Sequence, residues 1–399
     1  MNNTSNTATG HADPAREQRA RQYERLHNWL FLADVAVSLA LLALLIAGGE
    51  RSLSFRIEDA VRAVIGENRW LVVAGYVTVV LVSYTVLFLP YSWWKGYYLE
   101  RRFELGTQTF PSWLWDEVKS LALSLALAIV VFEAFYWLLR TAGGMWWLWA
   151  AGVWIVLQVV LGMLFPVVII PLFYKTERLH DPELEAQVGA LAARAGVTVL
   201  GMFRVGMAEK TKKANAALAG LGATKRILFA DTLLEHFPRG EITSVLAHEF
   251  GHYYHRHILK LIVIASLSAV VGMSIADLVL NAAAGALGIT DMARIATAPL
   301  LILALFLFSL VTMPLMNNLS RHFERQADGY ALDCTRDADA FISAMRRLAD
   351  QNLADKEPHP VIECLLHSHP SIGRRIRFAE EWNARQGRKE VTDHLTSDI

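Results

Sequence analysis

His248-Glu249-Phe250-Gly251-His252 packs two imidazoles and a carboxylate into five residues. On a helix, positions four apart share a face, so His248 and His252 can hold one ion between them. Neutral imidazoles at that spacing suit Zn²⁺, and Glu249 then stands where it can act as general base toward a water held by the ion. The helix itself is legible. Pro238-Arg239-Gly240 breaks the chain, and Glu241, Ile242, Val245, Leu246 and Phe250 then recur at helical spacing. Glu241 falls in the first turn, where the helix dipole favours an acid. A five-residue pattern is short enough to arise by chance, so the reading requires a third ligand.

The run Ser320-Arg321-His322-Phe323-Glu324-Arg325-Gln326-Ala327-Asp328 supplies one. It follows a long apolar segment and puts Glu324 and Asp328 four apart on one helical face. Two His and Glu324 make a three-ligand catalytic site with the fourth position open, for one zinc ion per chain. Asp328 then accepts a hydrogen bond from a ligand His and fixes its tautomer. Taken alone, Glu324 and Asp328 read as a solvated helical face.

Composition says where such a site lives. Hydrophobic residues make up 54% of the chain and charged residues only 19%, which is too apolar for an ordinary soluble protein. Six segments are long and apolar enough to cross a bilayer of ~30 Å: roughly 29–49, 70–92, 120–140, 146–174, 258–287 and 297–316. Aromatic residues gather at several of their ends, as in Trp93, Trp94, Tyr97 and Tyr98. Residues 1–28 lack the apolar run of a signal peptide and read as a polar tail. The expected architecture is a mainly α, multi-pass helical membrane protein carrying a small inserted α+β zinc-metalloprotease unit. Its parts are the tail at 1–28, a four-span region at 29–174, and a metallopeptidase domain at 175–399 that includes the last two spans.

Two spans separate the histidines from Glu324, so both polar segments emerge on the same side of the membrane. Arg16, Arg19, Arg21 and Arg25 before the first span, with Lys95, Arg101, Arg102 and Lys119 in the second-to-third connection, favour a cytosolic N-terminus and a cytosol-facing site. Arg51, Arg56, Arg62 and Arg69 in the first loop pull the other way. The expected location is the inner membrane of a bacterium or the endoplasmic reticulum of a eukaryote.

In the polar stretch 175–256, Asp181-Pro182-Glu183 starts a helix that Gly196 ends. Residues 198–207 have strand character, and 214–222 and 226–234 read as paired strands whose small side chains admit a substrate peptide at the edge. By propensity the Ala-rich run at 214–222 is equally a helix.

The order N-A-x-x-x-G-x-G at Asn215, then Asp231-Thr232-Leu233-Leu234, H-E-F-G-H, S-R-x-x-E-x-x-A-D and S-H-P-S-I-G-R-R-I resembles the type I CAAX prenyl proteases, membrane zinc metalloproteases of the gluzincin class, over about residues 70–380. The resemblance implies His248, His252 and Glu324 on zinc, Glu249 as base and Asn215 on a substrate-binding edge strand. It also implies that His369 stabilises the tetrahedral intermediate and that Asp328 lies behind the ligands. Eukaryotic members have seven spans, against six here. HtpX-type quality-control proteases share a similar site.

Several residues fall outside this pattern. His255 and His257 read as membrane-interface residues rather than ligands, and His322 and His367 as solvated or structural. Cys334 and Cys364 support neither a disulfide framework nor a thiolate site. Glu133 and Asp277 lie within spans, where each needs water or a partner. Zero net charge gives no case for nucleic acid. The expected partners are therefore the lipid bilayer and a peptide or protein substrate, membrane-associated or lipidated. A site-2-type intramembrane protease would bury H-E-x-x-H inside a span and need a later Asp motif that this chain lacks. A non-hydrolytic metal-binding membrane protein would have no use for Glu249.

Overall fold

The computed structural model describes residues 14–397. Residues 1–13 of the expected tail lie outside the described residues. The rest of that tail is helical. Helix α1 (Pro14–Ile46) runs unbroken from charged residues into the first apolar span. Its polar turns are one-sided, burying Ala20 and Tyr23 against Leu105 and Leu353, so charge in the sequence disguised a packed helix.

Short helix α2 (Leu53–Ile65) follows, then α3 (Arg69–Ser92), α4 (Phe110–Thr141) and α5 (Trp146–Leu164). Helix α3 continues through a π-helical turn, so its span reaches Arg102. After the polar region come α9 (His257–Leu287) and α10 (Ala298–Thr335). Among the described residues, six helices are long and apolar enough to cross a membrane, and they coincide with the six expected spans. Large apolar side chains such as Val311, 79% exposed, line their outer faces. That exposure suits lipid, and in water it would be costly. Asp277, the acid inside the fifth span, accepts a hydrogen bond from Trp146 Nε1 at 2.6 Å.

The connections sort onto two faces. On one, buried Glu58 of α2 bonds Arg62, Arg294 and the Ala296 N–H, while Glu50 accepts from the Thr290 N–H at 2.7 Å. On the other, Arg16 Nη2 reaches the Asp350 carbonyl at 2.6 Å and Lys213 Nζ pairs with Glu100 at 3.0 Å. The even number of spans between the two polar segments thus holds in three dimensions.

Between α5 and α9 lies a four-stranded sheet. It comprises β1 (Thr176–Arg178), β2 (Met202–Val205), β3 (Ala216–Ala219) and β4 (Arg226–Ala230), in the order β1-β2-β4-β3. Strands β2 and β4 are parallel, and the two outer pairings are antiparallel. Helix α6 (Pro182–Ala195) precedes β2, capped by Asp181 and ended by Gly196 in the left-handed region at φ 65°. Helices α7 (Asp231–His236) and α8 (Arg239–Tyr254) follow β4. The C-terminal part adds α11 (Ala338–Asn352), α12 (Pro360–Leu366) and α13 (Ile372–Ser397). Ile227, Phe229, Leu233, Leu246, Phe250 and Phe341 form the core shared by sheet and helices.

The sheet settles one open reading, shortens one expected strand and adds a strand that the sequence did not announce. The Ala-rich run is a strand, because Ala216 and Leu218 alternate inward onto that core. The expected strand 226–234 stops at Ala230, where Asp231 Oδ1 accepts from the N–H groups of Thr232, Met207 and Ala208 and turns the chain into α7. Strand β1, three residues long, has no periodicity that a sequence window can register.

Candidate metal centre and active site

Helix α8 lies directly across α10, and Gly251 makes the crossing possible. A Cβ on Gly251 would stand 2.9 Å from the Ala327 Cα and 3.1 Å from its carbonyl oxygen. This approach brings His248 and His252, one turn apart, to Glu324. The Nε2 atoms of the two histidines are 3.2 Å apart. Glu324 Oε2 lies 3.3 Å from His248 Nε2, and Glu324 Oε1 lies 3.5 Å from His252 Nε2. One ligand atom from each of the three residues falls within 4.8 Å of the others.

The donor set fits a divalent cation. His248 Nδ1 is 2.8 Å from Asp328 Oδ1, and His252 Nδ1 is 3.0 Å from His257 Nδ1. If both Nδ1 atoms carry protons, both Nε2 lone pairs and the Glu324 carboxylate converge on one point. His369 Nδ1 approaches Glu324 Oε2 to 3.0 Å, yet that buried oxygen has no hydrogen-bond partner among the described residues. A cation at the point of convergence would satisfy all three groups.

Burial disfavours the charged His248 ring, but the hydrogen bond to Asp328 and the Glu324 carboxylate close to Nε2 outweigh that and push it up to about 9. Burial and the neighbouring His248 charge push His252 down to about 3. Desolvation also drives the Glu249 carboxyl upward, which strengthens it as a proton acceptor.

Glu249 Oε2 accepts the Leu218 N–H of β3 at 3.3 Å. Edge strand β3 therefore faces the cluster directly. The edge is covered at both ends. The Asn352 side chain accepts from the Ala214 N–H at 2.8 Å and donates to the Ala214 carbonyl at 3.2 Å, while Tyr253 Oη donates to the Gly220 carbonyl at 2.8 Å. Between these caps, Asn215, Ala216, His248, Glu249, Glu324 and His369 share one cavity of about 540 Å³.

All seven residues singled out from the sequence are thus neighbours: Asn215, His248, Glu249, Glu324 and His369 line the cavity, His252 stands one turn beyond His248 against Glu324, and Asp328 lies behind His248. Two further residues that the sequence reading did not single out as part of the site touch the cluster. Arg375 grips Asp328 with two hydrogen bonds, at 2.6 and 3.0 Å; its only signal was its place in the S-H-P-S-I-G-R-R-I run. His257 opens the fifth span, as expected, but is not an interfacial side chain. It is 1% exposed, because its ring turns inward onto His252.

Comparison with known proteins agrees with this architecture. The model of peptidase family M48 matches residues 178–383, and that of the CAAX prenyl protease N-terminal module, described as five membrane helices, matches residues 2–175. Within the latter range the described residues hold four long apolar helices and the shorter α2. A Bacillus subtilis (strain 168) protein named "Uncharacterized metalloprotease YhfN" is 30% identical over 381 residues, covering 93% of this chain and 88% of the relative. The Saccharomyces cerevisiae protein "CAAX prenyl protease 1" is 28% identical over 314 residues, covering 73% of this chain and 68% of the yeast protein. The crystal structure of S. mikatae Ste24p superposes with a TM-score of 0.81 at 22% identity, over 94% of this chain and 91% of that one.

Proposed function

We propose that this chain, which belongs to peptidase family M48 and is a multi-pass membrane metalloprotease, is a zinc endopeptidase with Glu249 as general base. The observation that carries the proposal is the convergence of His248, His252 and Glu324 beside both Glu249 and an open strand edge. Two imidazoles and one carboxylate are a donor set that suits zinc. When bound, the ion supplies a Lewis acid for water and carbonyl.

The chain's own residues do the rest. An extended substrate adds to β3 through the outward backbone groups of Ala216 and Leu218, which sets its scissile carbonyl beside Glu249. Asn215, exposed in the same cavity, steadies the substrate backbone. Glu249 takes the proton of the attacking water and hands it to the leaving amine. His369 donates to the oxyanion as it forms. Asp328 and Arg375 hold the His248 ring.

Relatives are named CAAX prenyl protease 1. By that likeness the substrate is a peptide tethered at the membrane, cut on the cytosolic side by a type I CAAX-like enzyme. Metal analysis and turnover of two variants test the chemistry. Glu249→Gln is expected to keep about one zinc per chain and to lose on the order of 10²–10⁴-fold in rate. Glu324→Ala is expected to lose its zinc. Full zinc and full activity in Glu324→Ala would remove that residue from the site.

A further inference from the structure

His257 belongs to neither the ligand set nor the reaction described above, yet it is buried and hydrogen-bonded on both ring nitrogens. Its Nδ1 is 3.0 Å from His252 Nδ1, and its Nε2 is 2.8 Å from Gln326 Oε1. Gln326 Nε2 in turn lies 3.2 Å from His322 Nε2. The ring is stacked on Phe323, with centroids 4.3 Å apart and planes inclined by 11°.

One proton arrangement satisfies this chain. His252 turns Nε2 toward His248 and Glu324, so that nitrogen must leave its lone pair for the ion. Its proton therefore sits on Nδ1 and is donated to His257 Nδ1. The His257 proton then sits on Nε2 and is donated to Gln326 Oε1. The Gln326 amide completes the run by donating to His322. Each donor meets an acceptor. The opposite tautomer of His257 would set one N–H against another at 3.0 Å.

The backbone is shaped to make this contact. Arg256, between α8 and α9, has φ 55°, a left-handed conformation that a side chain bearing a Cβ rarely adopts. That corner folds the first residue of the fifth span back onto His252, five positions earlier. Strain of this kind persists where surrounding contacts compensate for it.

We propose that His257 is a positioning residue: held by Gln326 and Phe323, it fixes the tautomer and ring plane of His252 and thereby sets the metal affinity of the site. This rests on the reading of His252 as a ligand. The two ligand histidines are then held by different means, His248 by the Asp328–Arg375 ion pair and His252 by a neutral imidazole–amide relay.

The test is zinc affinity by chelator competition, together with the absorption spectrum of the cobalt-substituted protein, on the full chain in detergent. His257→Leu removes the acceptor and is expected to weaken zinc binding by about 10–100-fold and to alter the cobalt spectrum. His257→Gln can still accept from His252 and donate to Gln326, and should stay within about threefold of wild type, by the same logic of a retained hydrogen bond. The pair Gln326→Glu and Gln326→Lys separates positioning from packing. Glutamate accepts from His257 Nε2 and preserves the relay. Lysine can only donate, which forces the His257 proton onto Nδ1 and against His252, so it should weaken zinc as His257→Leu does.

Equal zinc affinity in Gln326→Glu and Gln326→Lys would overturn the proposal even if His257→Leu failed to fold. Wild-type affinity and spectrum in His257→Leu would overturn it directly. If wild type bound no zinc, or His252→Ala bound it as tightly as wild type, the ligand reading itself would fall, a result distinguishable from failure of the relay alone.

Discussion

Gly251 and Ala327 are in backbone contact: a methyl group on Gly251 would stand 2.9 Å from the Ala327 Cα. Glycine within a helix ordinarily costs about 1 kcal/mol relative to alanine. Here the sign reverses, because an added carbon meets main chain, which cannot rotate away. Gly251→Ala is expected to destabilise by about 1–3 kcal/mol, the usual cost of overpacking, and to separate Glu324 from the histidines. Thermal unfolding and zinc content of the purified variant check this. A variant more stable than wild type with full zinc would show that the helices have room to spare.

Zinc uptake should displace a proton. In the metal-free protein His248 is protonated below about 9, whereas a ligand needs its lone pair. Zinc affinity should therefore rise with pH, by about tenfold per unit from roughly pH 6.5 to 9. Stability of the metal-free protein should move the other way. A pKa raised from 6.5 to about 9 stabilises fully below 6.5 and loses that contribution as pH climbs through 9. Chelator competition and urea unfolding across this range measure both slopes. A flat zinc affinity would mean that His248 is already neutral.

The fork between Arg375 and Asp328 should resist a conservative exchange. Arg375→Lys keeps the charge but not the two-point contact, and should weaken zinc and turnover together while a variant at exposed Arg385 changes neither. Unaltered zinc affinity in Arg375→Lys would reduce the ion pair to a scaffold contact.

His369→Ala should keep zinc and substrate affinity but lose on the order of 10²-fold in kcat, as removal of a donor acting mainly in the transition state does. Asn215→Ala should weaken both binding and turnover. Steady-state kinetics on one peptide substrate decide; near-wild-type values for both would reduce the two residues to a helix stop and a turn.

Tags inserted near residue 190 and near residue 386 should report the same membrane side, and tags near Gly66 and Gly288 the other. Opposite sides for 190 and 386 would be incompatible with a shared site.

What the sequence revealed and what it hid divide along physical lines. His248, His252, Glu324 and Asp328 were legible because helical periodicity alone puts each pair on one face. The six spans were legible because a bilayer demands long apolar runs. The role of Gly251 was not, since its constraint is a neighbour 76 positions away rather than a local turn. His257 was hidden by the left-handed corner at Arg256, which no propensity predicts. The helical packing of the N-terminal turns of α1 was hidden for a different reason: charged residues dominate them, and their buried stripe of Ala20 and Tyr23 is narrow.

The proposed ligands also sit on opposite arms of a membrane hairpin. His248 and His252 precede the fifth span, Glu324 follows the sixth, and Arg375 comes later still. A ribosome that has delivered only the first histidines has therefore made no protease. On the proposed assignment the site is complete only after both arms are threaded and docked, so a half-built or wrongly threaded copy lacks one side of it.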